Sequence, residues 1–466
     1  MELLIPLDSR SKKPLYEQIY SHICEEIRGG ALKAGDRLPS TRVLAEHLKV
    51  SRSTTQMAYD QLLAEGYMES RPCRGYFVSH LDELVETGPS GAEEMETTAE
   101  PDAGWRVDFS PRGIDLDSFP YHVWRKLSRN TLVDDNKEMF HSGNHQGEPG
   151  LREAIRSYLH SARGVNCSPE QIIVGAGSEY LLMLLSQILE GKHVIAMENP
   201  TYKQAYRVFR SLGYEVCPVE MDANGMEPEL LTRSGANVAY VMPSHQFPTG
   251  VVMPVGRRQE LLKWAVEVPD RYIIEDDYDS EFRYRGKPIP ALQGMDRSGR
   301  VIYLGTFSKC IAPAIRVSYL VLPTHLLLRY RSQTSFYAST VSRIDQNILY
   351  QFLAGGYFER HLNRMRAVYK TKHDLLLEQI EPLRERFEIR GEHAGIHILL
   401  TSRQGESEEQ LIQKAEEAGV KVYGLSSYFI HPQHNHHPAT VVLGYASLSE
   451  EQIAEGIRLL MECWDA

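Results

Sequence analysis

Two hydrophobic rhythms share this 466-residue chain. Leu15, Ile19, Ile23 and Ile27 recur at i, i+4 spacing, which predicts an amphipathic helix over residues 14–28 that opens on a proline and closes at Gly29-Gly30. Ser40 stands as an N-cap before residues 41–48. Ser51 caps a third helix, with Thr54, Met57, Ala58 and Leu62 along its inner face and Gly66 at its end. Residues 67–70 and 75–78 read as short strands around Arg71-Pro-Cys-Arg74. Two helices joined by a short turn and followed by a hairpin predict a winged helix-turn-helix.

The second rhythm is slower. Runs rich in Val, Ile and Tyr at 172–174, 194–196, 238–241, 272–274 and 301–304 alternate with helical patterns such as 180–189 and 257–266. Alternating strand and helix predicts an α/β fold with a mostly parallel sheet covered on both faces. Such sheets hold ligands at the carboxyl ends of their strands. Polar tails fall there: Gly175-Ala-Gly-Ser-Glu179, Pro243-Ser-His-Gln246, Glu275-Asp-Asp-Tyr278 and Gly305-Thr-Phe-Ser-Lys309.

Between these regions the rhythm stops. The stretch from Leu81 to Trp105 holds eight acidic residues, no Lys or Arg, and few large apolar side chains. It buries too little to offset its ordering entropy, so the chain divides into a domain over 1–80, an acidic flexible linker over 81–107 and a domain over 108–466. Charge follows the same division. The net charge of −11 argues against nucleic-acid binding by the whole, yet residues 1–80 carry 11 Lys/Arg against 10 Asp/Glu while the other 386 carry 40 against 52. An acidic body with a small, locally Arg-bearing head is compatible with DNA binding through the head.

Composition narrows the class. With 42% apolar and 24% charged residues, the chain is an ordinary globular protein. No run of 18 apolar residues exists, and the first residues lack the basic and apolar regions of a signal peptide, so a cytoplasmic protein is expected. Six scattered cysteines without a Cys-x-x-Cys pair suit reduced thiols. Cys310 reads as a small core residue or an oxidation sensor. His431, His434, His436 and His437 read as a solvated loop or a metal cluster; with Pro432 interrupting them, no metal is expected.

In the head, Ser51, Arg52, Ser53 and Gln56 occupy the first turns of the third helix, where N–H groups face phosphates and short side chains reach base edges. Arg42 begins the preceding helix, and Arg74-Gly75 at the hairpin tip suits a minor groove. The same polar helix starts also fit a small protein-protein module.

The body carries the parts of a pyridoxal-phosphate site. Such a site needs an amine-bearing lysine of lowered pKa, a carboxylate at the pyridine nitrogen, a donor at the phenolic oxygen and a phosphate cradle. Lys309 follows a strand beside Thr306 and Ser308, with Arg316 seven residues on. Asp276 and Tyr278 end another strand, Gly177-Ser178 opens a helix, and Tyr202 offers a flat face.

The run Gly35-Asp-Arg-Leu-Pro-Ser-Thr-Arg-Val-Leu-Ala45, with Val50-Ser-Arg-Ser-Thr54, Ala58-Tyr59 and Glu65-Gly66, resembles the DNA-binding domain of GntR-type regulators. The order of motifs over 108–460 resembles fold-type I aminotransferases. Pro243-Ser-His-Gln-Phe-Pro-Thr-Gly250 and Ile274-Glu-Asp-Asp-Tyr-Asp-Ser-Glu-Phe282 are similar to the aminotransferase-like domain of MocR/GabR-type regulators, which join these two parts. The resemblance implies pyridoxal 5'-phosphate as Schiff base on Lys309, with Asp276 at the pyridine nitrogen, Tyr278 at the phenolic oxygen and Tyr202 on the ring. Ser178, Thr306, Ser308 and Arg316 would bind phosphate, and His245 would contact the ring region or serve structurally. It also implies a homodimer on operator DNA.

Two places depart from that pattern. Arginines expected for an effector carboxylate just after the stacking tyrosine and in the stretch 425–428 look like Gln204 and Ser427. Losing a fork-shaped cation removes a charge-assisted pair, which counts against a simple amino-acid effector unless Arg207 or Lys203 compensates. Glu179 stands where a glutamine is expected, adding negative charge near the phosphate. The expected function is a transcription regulator that senses a small amine or amino-acid-like effector, not an efficient enzyme. A working aminotransferase with an accessory head, and pyridoxal phosphate itself as the signal, are the alternatives.

Overall fold

The computed structural model describes residues 3, 5–8, 11, 13–80, 104–132, 137–284, 288–431 and 437–465. The chain forms two compact units, Met1–Glu100 and Pro101–Ala466. Residues 81–103 of the expected linker lie outside the described residues. Its last residues belong to the second unit, because Val107 is buried and pairs with Val420.

The first unit comprises α1 (Leu15–Arg28), β1 (Arg37–Leu38), α2 (Thr41–Leu48), α3 (Arg52–Ala64), β2 (Met68–Arg71) and β3 (Gly75–Val78). Helix α1 buries Ile19, Ile23, Cys24 and Ile27. Both serine caps form: Ser40 accepts from the Val43 N–H and Ser51 from the Thr54 N–H. The face of α3 is rotated from the expected one. Thr55, Ala58, Tyr59 and Leu62 are buried, while Met57 is 51% exposed and Thr54 only partly covered. Polar anchors decide this: the Thr55 hydroxyl donates to the Thr41 carbonyl (2.9 Å) and Tyr59 to the Pro39 carbonyl (2.9 Å). The hairpin β2–β3 takes β1 as a third strand, in the order β1-β3-β2.

The second unit runs β4 (Val107–Asp108), α4 (Tyr121–Thr131), α5 (Pro149–Arg163), β5 (Ile172–Gly175), α6 (Ser178–Leu189), β6 (Val194–Asn199), α7 (Lys203–Ser211), β7 (Glu215–Asp222) and β8 (Gly225–Met226). It continues through α8 (Pro228–Arg233), β9 (Val238–Val241), α9 (Val255–Glu267), β10 (Tyr272–Asp277), β11 (Val301–Thr306), β12 (Ser318–Val321), α10 (Thr324–Gln333), α11 (Arg343–Ala354) and α12 (Tyr357–Ile380). A smaller part follows: β13 (Phe387–Arg390), β14 (His397–Ser402), α13 (Glu408–Glu417), β15 (Val420–Lys421), β16 (Tyr423–Gly424), β17 (Thr440–Gly444) and α14 (Glu450–Asp465).

The eight-stranded sheet has the order β5-β12-β11-β10-β9-β6-β7-β8. Pairs β11–β10, β10–β9, β9–β6 and β6–β7 are parallel; β12 runs against both its neighbours. Every residue of β9 and β10 is buried, as strands covered on both faces must be. Strands β13-β14-β17-β16 form a separate antiparallel sheet. Among the described residues, no helix is long and apolar enough to cross a membrane.

Candidate functional site

The carboxyl ends of β10 and β11 and the start of α6 surround a cavity of about 280 Å³. Gly177, Ser178, Glu179, Tyr202, Gln204, Asp276, Tyr278, Thr306, Ser308, Lys309 and Arg316 all line it. Three stretches, around Ser178, Asp276 and Lys309, thus converge, because neighbouring parallel strands end at one edge.

Lys309 follows β11 and donates from Nζ to the carbonyls of Arg112 (2.8 Å) and Pro111 (3.4 Å). Burial, aided by the Arg112 charge and opposed by Asp279, lowers its amine to about 8. Asp276 ends β10 and accepts from the Tyr240 hydroxyl. Burial pushes its carboxyl up to about 7; the Tyr240 bond works the other way, and Asp277, Asp279 and Glu179 add to the rise. Tyr202 is raised to about 12, chiefly by burial, and meets Phe247 edge-on at 6.2 Å.

The turn before α6 needs glycine. Gly177 sits at φ +94, and a Cβ there would lie 2.7 Å from the Arg316 guanidinium. Arg316 pairs with Glu179 at 3.2 Å, so the expected extra negative charge is taken up by this arginine. Thr306 accepts from the Ser318 hydroxyl (2.9 Å) and from the Ser308 N–H (3.2 Å).

Four expected residues stand elsewhere. His245 does not line the cavity: it is buried behind Tyr278, with Nδ1 2.9 Å from Asp279 Oδ2 and 3.1 Å from the Tyr278 hydroxyl. Ser427 is exposed and donates to the Gly424 carbonyl at 2.8 Å. Arg207 is exposed on α7 away from the cavity wall, and Lys203 lies over the Tyr206 ring at 5.7 Å. Of the effector candidates, only Gln204 lines the cavity. Arg112, Met242 and Phe247 line it without any motif to announce them, although Phe247 lies inside the Pro243–Gly250 run.

Cys310 is buried, and burial holds its thiol well above the usual value, which removes thiolate reactivity. His434 and His436 lie outside the described residues; His437 stacks on Phe429 at 4.2 Å. Among the described residues no His/Cys/Asp/Glu group could hold a metal ion.

In the first unit, Ser51, Arg52 and Ser53 are exposed at the start of α3, and Gln56 donates to Asp60 at 2.8 Å. Arg42 pairs with Glu46 at 3.1 Å on an exposed face, a contact weak enough to exchange for phosphate. Arg74 is exposed at the hairpin tip. Exposed Arg37, on β1, lies beside Gly75 and adds a cation that no sequence motif marked.

The chain matches the family model for aminotransferase class I and II over residues 115–460 and that for bacterial regulatory proteins of the gntR family over residues 15–78. It is 41% identical to the uncharacterized HTH-type transcriptional regulator YdeL of Bacillus subtilis (strain 168), over 97% of both chains. It is 35% identical to the probable rhizopine catabolism regulatory protein MocR of Rhizobium meliloti, over 98% of this chain and 95% of that one. The pyridoxine biosynthesis transcriptional regulator PdxR of Corynebacterium glutamicum is 32% identical over 92% of each. Among solved structures, a multiple substrate aminotransferase from Thermococcus profundus superposes with a TM-score of 0.69 at 28% identity, covering 78% of this chain and 91% of that one. A kynurenine aminotransferase from Pyrococcus horikoshii, solved with PMP, gives 0.68 at 26% over 77% and 90%.

Proposed function

The chain belongs to the MocR/GabR-type regulators, in which a gntR-family winged helix is joined to an aminotransferase class I and II body, and from that premise we propose that its Lys309 cavity senses a small amine. It is a DNA-binding transcription regulator, and its cofactor is pyridoxal phosphate.

The residues fit that cofactor. The Asp276 carboxyl is buried with one hydroxyl partner, so a ring N–H completes its bonding. The α6 N-terminus, with Ser178, Thr306, Ser308 and Arg316 around it, offers the N–H groups, hydroxyls and cation that a phosphate takes. Tyr278 would donate to the phenolic oxygen and Tyr202 would cover the ring. When bound, the cofactor supplies an aldehyde that condenses with amines and a ring that withdraws electrons.

The observation that carries the reading is Lys309 itself, half-buried in a cavity with an amine lowered to about 8. A neutral amine there attacks an aldehyde and yields its place to a competing amine. Occupancy by the effector would shift the balance between states of the body and so the reach of two DNA heads on a homodimer. Ser51, Arg52, Ser53, Gln56, Arg42 and the Arg74-Gly75 tip would meet operator DNA. A cytoplasmic site of action follows from that role. The test is operator binding by the full chain, loaded with pyridoxal phosphate, with and without candidate amines. Loss of sequence preference at modest salt, or identical binding in every amine, contradicts the proposal.

The intact lysine and carboxylate set also favours a second reading, in which some transaminase turnover persists. Steady conversion of an amino acid and an oxo-acid at enzyme-like rates supports it; a single stoichiometric conversion or none supports a sensor. A third reading, the cofactor as signal, draws on the relative that regulates pyridoxine biosynthesis. It requires DNA binding to respond to pyridoxal phosphate alone.

A further inference from the structure

Three cations line the Lys309 cavity, and two of them are committed. Lys309 donates to main-chain carbonyls, and Arg316 is held by Glu179 at 3.2 Å. The third, Arg112, is exposed, and among the described residues its guanidinium pairs with no carboxylate.

Its backbone is fixed. The Phe109 N–H donates to the Lys421 carbonyl (3.0 Å), the Gly444 N–H donates to the Phe109 carbonyl (2.9 Å), and the Asp115 N–H donates to the Tyr369 hydroxyl (3.0 Å). Lys372 pairs with Asp115 at 3.1 Å just beyond the loop. Gly113 packs against Ser447, and Gly444 against Ser110, so closely that neither position admits a side chain. The loop therefore presents Arg112 from a rigid base beside the reactive amine, with its ordering cost already met.

The Arg112 charge also reaches the turn where the sequence pattern placed Ser427 instead of a carboxylate-binding arginine. Burial raises the Tyr428 hydroxyl to about 12, and Arg112 pulls against that rise; the same opposition acts at Tyr202.

We propose that Arg112 is the anion-binding residue of the effector pocket, so that the effector is an amine that also bears a carboxylate. The inference rests on the reading of this cavity as the sensor. It reverses the expectation, drawn from Gln204 and Ser427, that an amino-acid-like effector is disfavoured. A planar guanidinium grips a carboxylate through two parallel N–H donors, and lysine offers only a point charge.

The test uses the full chain loaded with pyridoxal phosphate and titrated with propionate, followed by the cofactor's visible absorption. L-alanine and β-alanine are each compared with ethylamine by thermal shift. Propionate is expected to bind the wild type, to weaken about tenfold or more in Arg112→Gln, and to recover in part in Arg112→Lys. Ethylamine, which has no carboxylate, is expected to keep acting on Arg112→Gln with far less than a tenfold change; a collapsed site would lose both ligands. Propionate binding that is equal in wild type and Arg112→Gln overturns the inference, as does a wild type that answers ethylamine and no carboxylate. A wild-type chain that takes up no pyridoxal phosphate overturns the sensor reading beneath it, a failure visible before any propionate is added.

Discussion

A lysine amine with its ordinary pKa of 10.5 is almost wholly protonated at neutral pH and attacks aldehydes slowly. At Lys309 burial disfavours the cation, and the lowered value near 8 leaves a usable fraction of neutral amine. The rate of pyridoxal-phosphate uptake by the cofactor-free chain should therefore climb about tenfold per pH unit below 8 and level off above about 9. Stopped-flow absorption measures it; a rate still climbing to about 10 would mean an unperturbed lysine. At this scale the sequence showed which residue types end the strands, but not which way each side chain points. Asp276 lies at the end of β10 and His245 follows β9, yet one lines the cavity and the other lies behind Tyr278. Arg112 left no trace because it sits in a loop whose position is set by contacts to β17 and α12, far away in sequence. Asp276→Asn should weaken cofactor binding by about tenfold or more by removing the charged acceptor for the ring nitrogen. Equilibrium dialysis would show it, and an unchanged affinity would free Asp276 of that role.

Among the elements, helix α3 shows how periodicity and packing divide the decision. The stripes Thr54-Met57-Ala58-Leu62 and Thr55-Ala58-Tyr59-Leu62 both fit a helical repeat, and hydrophobicity favours the one containing Met57. Hydrogen bonds to the carbonyls of Thr41 and Pro39 select the other. Leu62→Ala should then cost about 2–5 kcal/mol and Met57→Ala within about 0.5 kcal/mol, read by denaturant unfolding of the first unit. Equal costs would restore the original stripe. Strands β9 to β11 were legible as unbroken apolar runs; β12, β14 and β17 hold apolar runs as well, but the runs alone do not say which sheet each strand joins or in which direction. Antiparallel pairing of short strands is settled by distant partners, as where β12 joins β11 to β5. Gly305 is fixed by one such contact, since a Cβ would lie 2.5 Å from the Tyr319 ring of β12. Gly305→Ala should lower the melting temperature of the second unit by several degrees. An unchanged melting curve would deny that close approach.

For the whole molecule, charge is distributed so that DNA is met by a near-neutral head and repelled by an acidic body. On the proposed reading, affinity rests on a few arginines of the head. Arg52→Ala should weaken operator binding across sequences and reduce the slope of log affinity against log salt by about one. Fluorescence anisotropy over a salt series measures this, and an unchanged slope would remove Arg52 from the phosphate contacts. Exposed Phe336, Phe140 and Leu328 on the second unit are apolar surface of the kind a partner subunit covers, in keeping with the proposed homodimer. The acidic, apolar-poor stretch over 81–105 is the sequence signal for a division, and the chain does form two compact units, Met1–Glu100 and Pro101–Ala466.

The claim on which the rest depends is the attachment of pyridoxal phosphate to one lysine. The full-length chain, incubated with the cofactor, reduced with borohydride and digested with trypsin, should carry a single phosphopyridoxyl group, on the peptide spanning residues 301–316 and at Lys309. A chain that stays colourless and unlabelled, or a label at any other lysine, would contradict the account.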